Sequence, residues 1–549
     1  MHRSGHVDSF ARDNLPPIAL WPRLECCGPV QLAYPERLNC AAALLDDALA
    51  AGHGERPAIH FAGGSWSYRY LAGAVDRIAH ALVRDLGMEA GNRVLLRGTN
   101  GPMMAAAWLA VVKAGGIAVA TMPLLRAREL AAIVDKAEID FCLYEKALEA
   151  EILKLPEHAK RPLSKLSFGD SIAPDAIEPL MERHDSPFPA ADTADDDVCL
   201  IAFTSGTTGR PKGTMHFHRD VLAACDCFPA HVLRPTMDDV FIGSPPLAFT
   251  FGLGGLLLFP MRAFASTVLL PKLPPDELVA AIARHKATIC FTAPTGYRAM
   301  LDRFYEAHSS EAIASLRKCV SAGETLPAPT FEAWRRVTGL TIIDGIGATE
   351  LLHVFISADE EDMRAGATGK PVPGYEARVI DEDGRPVPVG TVGRLAVRGP
   401  TGCRYLADDR QAAYVHEGWN LTGDAYLVDA DGYFIYQART DDMIVSSGYN
   451  IAGPEVEAAL LEHPDVKDCA VVGVPDRQRG QLVKAFVILR EGAVPAEATA
   501  KALQEFVKQT IAPFKYPRAV TFVDALPRTE TGKVQRFKLR QDSGSASSA

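Results

Sequence analysis

The stretch Phe203-Thr-Ser-Gly-Thr-Thr-Gly-Arg-Pro-Lys-Gly213 constrains this chain more than any other. It follows a short apolar run, Val198–Phe203, bounded by Asp195 to Asp197, which reads as a buried strand. Strand, glycine- and hydroxyl-rich turn, then lysine is a recipe for holding a polyphosphate. Glycine lets backbone N–H groups close round anionic oxygens, Ser and Thr hydroxyls donate further hydrogen bonds, and Lys212 adds a point charge. Counted from Gly206, Pro211 stands where a Walker loop needs its second glycine, so that motif is excluded. A plain Ser/Thr/Gly-rich surface loop shares the composition but does not call for Lys212 between Pro211 and Gly213.

Composition bounds the partners. At 549 residues the chain is too long for one core, so two or more domains are expected. Its 48% hydrophobic and 23% charged residues are ordinary for a soluble globular protein. A net charge of −11 without a long basic block argues against nucleic acid, so an anionic substrate must be met by local cations. The eleven cysteines are scattered. Cys26-Cys27 and Cys225-x-Cys227 lack a second pair at zinc spacing, so all read as buried or free thiols of a reducing compartment, not disulfides or metal ligands. The N-terminus has no apolar signal core. The most apolar windows, Met103–Leu125 and Phe249–Leu270, carry Lys113, Pro260 and Arg262 and read as buried helix or strand, not membrane spans. A cytoplasmic location is expected.

Along the chain, residues 1 to about 35 read as a surface arm. Helical patterns at Ala41–Ala51, Tyr70–Leu86 and Met103–Ala114 then alternate with strands at Arg93–Arg97 and Ile117–Ala120. That alternation predicts an α/β fold with a mainly parallel sheet covered on both faces. Residues 150–195 carry little periodicity. Further strands are expected at Asp239–Ser244, Ala287–Phe291 and Lys318–Ala322, each followed by a loop. From about Asp441 the composition changes. A glycine-rich loop, Ser446–Gly453, precedes a helix at Pro454–Glu462, strands at Asp468–Val474, Leu482–Leu489 and Ala519–Val523, and a helix at Ala498–Gln509. These make a small α+β domain, and Gln541–Ala549 reads as a disordered tail.

Several segments carry chemistry only in combination. Pro245–Gly252 sets Phe249 and Phe251 beside glycine, a pattern that suits an apolar pocket or a core. Thr341–Glu350 has Gly345 and Gly347 but Glu350 where a dinucleotide fingerprint needs glycine, so a Rossmann site is excluded. Thr349 can instead meet a phosphate, and the Glu350 carboxylate can hold Mg²⁺ against phosphate oxygens. Asp424 can accept from both ribose hydroxyls and Arg439 can donate from its fork. Pro527–Lys533 is a polar turn presenting Lys533.

The string at 203–213 resembles the phosphate loop of the adenylate-forming superfamily, which comprises acyl-CoA synthetases, peptide-synthetase adenylation domains and firefly-type luciferases. The remaining segments follow in that superfamily's order, and the resemblance spans roughly residues 40 to 540. It implies a large N-terminal domain of mixed and parallel sheets with flanking helices, residues 1–440, and a small mobile α+β lid, residues 441–549, with its hinge at Asp441. Thr204, Ser205, Gly206, Thr207, Thr208, Gly209 and Lys212 would cradle phosphates, and Gly323, Glu324, Asp344, Gly345, Asp424 and Arg439 would hold adenosine and ribose. Phe249, Thr250, Phe251, Gly252, Ile346, Gly347 and His353 would receive the acid, and Ser447, Gly448 and Tyr449 coenzyme A. Lys533, Thr349 and Glu350 would be catalytic, with Glu350 on Mg²⁺. ATP, Mg²⁺ and coenzyme A are implied, with no tightly bound prosthetic group.

The match narrows further. Asp344–His353 and Gly366–Tyr375 resemble the benzoate-CoA ligase group. Tyr34–Cys40 and Gly448–Glu455 resemble its 2-aminobenzoate branch, whereas benzoate enzymes tend to carry a Trp-containing segment at Tyr449-Asn450. The resemblance therefore implies an AMP-forming ligase joining an aromatic acid, foremost 2-aminobenzoate, to coenzyme A. Benzoate or another small acid, a carrier-loading domain, a luciferase-like oxygenase and a non-catalytic nucleotide sensor stay open. No acidic residue near Phe249 offers to hold an amino-acid amine, and the presence of Lys533, Thr349 and Glu350 speaks against the sensor. Self-association is left open, a homodimer included.

Overall fold

A computed structural model describes the chain except residues 206–210, 441, 447–448, 477–478, 512, 530–531 and 546–549. Among the described residues the strands form four sheets.

The first is six-stranded. Its strands run Ser164–Phe168, Phe141–Glu145, Arg93–Arg97, Ile117–Thr121, Val198–Ser205 and Pro211–Phe217, parallel up to the last, which turns back antiparallel. Strands Arg93–Arg97 and Ile117–Thr121 are buried along their whole length around apolar centres, as parallel strands between helices must be. The second sheet is nine-stranded, with a parallel centre of Pro57–Phe61, Ser266–Val268, Val240–Gly243, Ile289–Thr292, Lys318–Ala322 and Ile342–Gly347. Antiparallel strands close both of its edges. An antiparallel five-stranded sheet, built on Trp419–Val428, follows. The fourth lies in the C-terminal part, where Val466–Asp476 and Gly480–Leu489 make a long antiparallel pair. Helices Gly453–Leu461 and Glu497–Thr510 contribute to a core there formed by Val456, Leu460, Val471, Val487, Leu503 and Val507. This is the expected α/β architecture with a small C-terminal α+β unit.

Local chemistry sets the element ends. Asn39 Oδ1 accepts from the Ala42 N–H at 3.3 Å and caps helix Cys40–Ala50, and Ser67 Oγ does the same for helix Tyr68–His80 at 3.2 Å. Helix Pro102–Lys113 runs out at Gly115, whose φ of +80° and contacts with Ala90 and Ala191 leave no room for a side chain. The two apolar windows are interior elements, as expected. Lys113 is buried between Asp46 and Asp76, 2.8 Å from each, which neutralises the one cation on that helix. No helix among the described residues is long and apolar enough to cross a membrane.

Two segments depart from the sequence reading. Residues 150–195 are not structureless, because Ser164–Phe168 adds a parallel edge strand to the six-stranded sheet. Ser164 is exposed and Lys165 and Leu166 only half-buried, so it lacks the apolar signature of a buried strand. The tail is also not wholly irregular, since Arg536–Ser545 is helical. Leu539 packs against Ala470, Val472 and Phe486, and that contact orders a segment whose composition suggests disorder.

Candidate active site

The phosphate stretch is a hairpin. Thr204 lies opposite Lys212 and Ser205 opposite Pro211, so Lys212 stands on the return strand and not on a helix. Gly206, Thr207, Thr208 and Gly209 lie outside the described residues, as does the side chain of Ser205. Lys212 Nζ donates to the Tyr405 hydroxyl at 3.0 Å and lies 3.6 Å from Glu350 Oε1. Tyr405 in turn donates to Glu350 Oε1 at 2.5 Å. A cation, a phenol and a carboxylate thus form one chain of contacts at the hairpin's base.

Glu350 sits in a tight turn, Thr349–Leu351, at the end of strand Ile342–Gly347. The Thr349 carbonyl accepts from His216 Nε2 at 2.8 Å, which ties this turn to the hairpin strand. Burial and the neighbouring Glu350 push the Tyr405 phenol well up, so it stays a donor. Around it, Gln411 Oε1 accepts the Tyr405 N–H at 2.8 Å, and the buried Arg404 pairs with Asp220 and stacks 3.9 Å over Phe217. Glu350 offers a hard carboxylate oxygen of the kind that fits Mg²⁺, beside Lys212. Tyr405 escaped the sequence reading, because 55 residues separate it from Glu350 and no motif of residue types flags it.

Asp424 and Arg439 face each other across strands Trp419–Val428 and Phe434–Arg439, in register. Arg439 Nη1 donates to Asp424 Oδ1 at 3.1 Å and to the Thr422 carbonyl at 2.9 Å. Gly423 has φ +77°, a left-handed backbone that favours glycine. Burial raises the Asp424 carboxyl, partly countered by Arg439. Asp344 is also buried, and desolvation pushes its carboxyl up to about 8. Gly323 has φ +91°, and a Cβ there would lie 3.7 Å from Lys533 Cε.

Lys533 thus reaches the N-terminal part from its C-terminal turn. It keeps solvent contact, but the surrounding protein lowers its pKa. Desolvation leads and Arg439 adds to it, while Asp424, Glu324 and Glu350 pull the other way. Gly532 packs against Glu324 and Thr295 at φ +88°. A file of alternating charges spans the two parts: Arg298 donates to Asp468 at 3.0 Å, Arg528 to Asp468 at 2.6 Å and to Glu324 at 3.4 Å. Of the remaining residues singled out in the sequence, Asp441, Ser447 and Gly448 lie outside the described residues. Tyr449 opens a strand opposite Ser446, its side chain undescribed.

The aromatic segment forms the short helix Thr250–Leu253, with Phe249 at its N-terminus. Gly252 packs on the Pro246 carbonyl, and Gly347 lies against the backbone of His353; a Cβ fits at neither. Ile346 and Thr250 are half-buried nearby on the same segments. His353 is buried, and its ring lies 4.4 Å from Phe259, 5.6 Å from Phe251, 5.8 Å from Phe228 and 6.5 Å from Phe291. Burial pushes its pKa down to about 3, so it is neutral. The Phe251 carbonyl, 3.4 Å from Nε2, takes the single N–H, which leaves Nδ1 a buried acceptor without a partner. Phe228, Phe259 and Phe291 were not foreseen. Gly254 and Gly255 were the available signal, since a Cβ on either would strike the His353 or the Phe291 ring.

The chain matches known proteins along most of its length. A family described as "AMP-binding enzyme" covers residues 47–405, and "AMP-binding enzyme C-terminal domain" covers residues 455–533. A benzoate–CoA ligase of Thauera aromatica is 36% identical over 93% of this chain and 97% of its own length. Among solved structures, an anthranilate CoA ligase in complex with anthranoyl-AMP is 33% identical, with a TM-score of 0.89 over 94% of this chain and 99% of that one. A benzoate CoA ligase from Burkholderia xenovorans LB400 is 32% identical, with a TM-score of 0.84 over 92% of this chain and 100% of that one.

Proposed function

The chain belongs to the AMP-binding enzyme family, and from that premise we propose that it is an AMP-forming aromatic acid–CoA ligase whose preferred acid is 2-aminobenzoate. The observation that carries the reading is the approach of Lys533 to Gly323, within electrostatic reach of Asp424, Arg439 and Glu350, beside an aromatic pocket holding a neutral histidine.

A carboxylate is a poor acyl donor because oxide would have to leave. Its oxygen therefore attacks the α-phosphorus of ATP, the bond to the β-phosphate oxygen breaks, and pyrophosphate departs. Negative charge accumulates at the α-phosphate in that step, and Lys533 is the cation brought to it. Lys212 and the hairpin turn hold the β- and γ-phosphates, with Thr349 alongside. Tyr405 fixes the Glu350 carboxylate, the residue that would hold Mg²⁺, which when bound neutralises phosphate charge. Asp424 accepts from the ribose hydroxyls while Arg439 keeps its carboxylate in place. Glu324, Asp344 and Gly345 complete the nucleoside side.

In the second half-reaction the coenzyme A thiolate attacks the acyl carbonyl and AMP leaves with the bonding pair. The C-terminal part turns about Asp441, withdrawing Lys533, and the loop of Ser447, Gly448 and Tyr449 admits the pantetheine arm. Gly448→Leu should then leave pyrophosphate exchange nearly intact and block thioester formation.

The preference for an amino-substituted ring rests on His353. An apolar box with one unpartnered acceptor suits a flat ring carrying an N–H donor, and plain benzoate leaves Nδ1 unsatisfied. Benzoate is the second reading, favoured by the 36% identity to a benzoate–CoA ligase. AMP release with coenzyme A and ATP·Mg²⁺ across 2-aminobenzoate, benzoate, 2-hydroxybenzoate, phenylacetate and hexanoate separates them. A preference for 2-aminobenzoate supports the first reading, benzoate alone supports the second, and silence on all five refutes both.

A further inference from the structure

Two residues lie between Glu350 of the charged cleft and His353 of the aromatic pocket, and the second, Leu352, has φ +71° and ψ −44°. Glu138, Arg234, Lys286 and His308 also have positive φ, but each ends a helix in the left-handed region, with ψ from +28° to +59°. Leu352 lies outside that region. It is close to the rare γ-turn conformation of about +75° and −65°, which strains any residue with a Cβ. A buried leucine keeps such a backbone only where its surroundings hold it there.

Two side chains grip the turn on either side of Glu350. His216 Nε2 donates to the Thr349 carbonyl at 2.8 Å, and Thr401 Oγ1 donates to the Leu351 carbonyl at 2.7 Å. Both residues have 0% exposure, and they come from separate segments, strand Pro211–Phe217 and the stretch after strand Gly393–Arg398. We propose that His216 and Thr401 are positioning residues, a clamp that holds the strained joint at Leu352 and thereby aims Glu350 into the cleft while His353 stays among its rings.

Each donor is itself fixed. A carbonyl only accepts, so the Thr401 proton goes to Leu351 and the Thr401 oxygen accepts from the Tyr375 hydroxyl, 2.8 Å away. His216 likewise carries a proton on Nε2. The backbone beside it is anchored by Asp220, which accepts the Phe217 N–H at 2.9 Å and pairs with Arg404. The Thr349 carbonyl belongs to the planar peptide that enters Glu350, and the Leu351 carbonyl to the one that enters Leu352. Fixing both fixes the backbone from which the Glu350 carboxylate projects. Resting on the reading of Glu350 as the residue that would hold Mg²⁺, the clamp has a plain role. It holds the Glu350 backbone as Tyr405 holds the carboxylate.

Isothermal titration calorimetry on the full-length protein separates positioning from packing. ATP·Mg²⁺ and AMP are titrated in turn, without acid or coenzyme A. Thr401→Val keeps the shape and removes the donor, and His216→Leu removes the other donor. Each should weaken ATP·Mg²⁺ binding about tenfold and leave AMP binding, which has no phosphates for Mg²⁺ to bridge, unchanged. Thr401→Ser and His216→Gln put the donors back and should recover the wild-type affinity. Equal loss for both nucleotides, loss for neither, or no recovery in the Ser and Gln variants overturns the clamp. Should Thr401→Val and His216→Leu fail to fold, a crystal structure of the wild type decides. Leu352 at negative φ, or either carbonyl contact missing, overturns the clamp, and both features present support it. No acid enters the titration, so the ligase reading is tested apart from it. Silence on the five acids with a tenfold loss in Thr401→Val removes that reading and keeps the clamp, and turnover of 2-aminobenzoate with unchanged affinity in that variant does the reverse.

Discussion

The aromatic pocket around His353 and the charged cleft around Lys533 share the segment Asp344–His353 but are held by opposite means. The pocket draws all its walls from the N-terminal part, is lined by aromatic rings, and holds a neutral histidine. The cleft assembles from both parts, and its groups are ion-paired and partly exposed. Close packing fixes the first in one arrangement, whereas the contacts of the second are weak enough to be made and broken. Under the proposed function, the site recognises one acid throughout and exchanges two sets of groups within a cycle, which calls for both kinds of construction. The difference predicts that pocket substitutions alter which acid is used, and cleft substitutions alter which half-reaction runs.

The largest expected effect is in the cleft. Lys533→Ala should slow adenylate formation by about a thousandfold, the scale of losing a donor aimed at developing charge. Conversion of a synthetic aroyl-adenylate and coenzyme A to thioester should be unchanged, and equal loss in both steps would remove the two-position account of the C-terminal part. Tyr405→Phe keeps the ring but frees Glu350 and Lys212, and should lower kcat/KM for ATP·Mg²⁺ in pyrophosphate exchange by about 10- to 100-fold. The KM for the acid should stay put. A shift in acid KM instead would mean that cleft and pocket are not separately built.

His353→Phe tests the pocket. The preference for 2-aminobenzoate over benzoate should fall about tenfold while benzoate turnover holds. Asp468→Asn loosens the ion file between the two parts, and should lower the adenylation rate about threefold without slowing thioester formation. The smallest effect concerns pH. Unfolded, His353 titrates near 6.5, and folded near 3. Between these values the unfolded chain holds the extra proton, so His353 contributes stability above about 6.5 that is lost as pH falls towards 3. Melting temperatures from pH 7 to 4 should therefore decline less steeply in His353→Phe than in the wild type.

Linear chemistry decided a great deal here. The phosphate stretch, Thr349-Glu350, Thr422-Gly-Asp424 and the turn ending at Lys533 are each legible because one local backbone conformation must present particular atoms, which restricts residue types over a few positions. The α/β frame was legible for a related reason: buried parallel strands and amphipathic helices impose periodicities that survive in the order of residues. The short edge strand Ser164–Phe168 and the docked helix Arg536–Ser545 were not, since their stability comes from neighbours.

Tertiary structure alone decided the rest. Tyr405 reaches Glu350 and Lys212 from 55 and 193 residues away, and Cys40 meets Cys199 across 159. No spacing rule spans such distances, because the chain between can take any path that buries its own core. His353 lay three residues beyond Glu350 in plain sight, but its neutrality comes from rings on other elements. Sequence named the residues proposed to meet phosphate, since such residues must lie on one loop. Packing chose the atoms that tune them, since desolvation and pairing act through space and are indifferent to order along the chain.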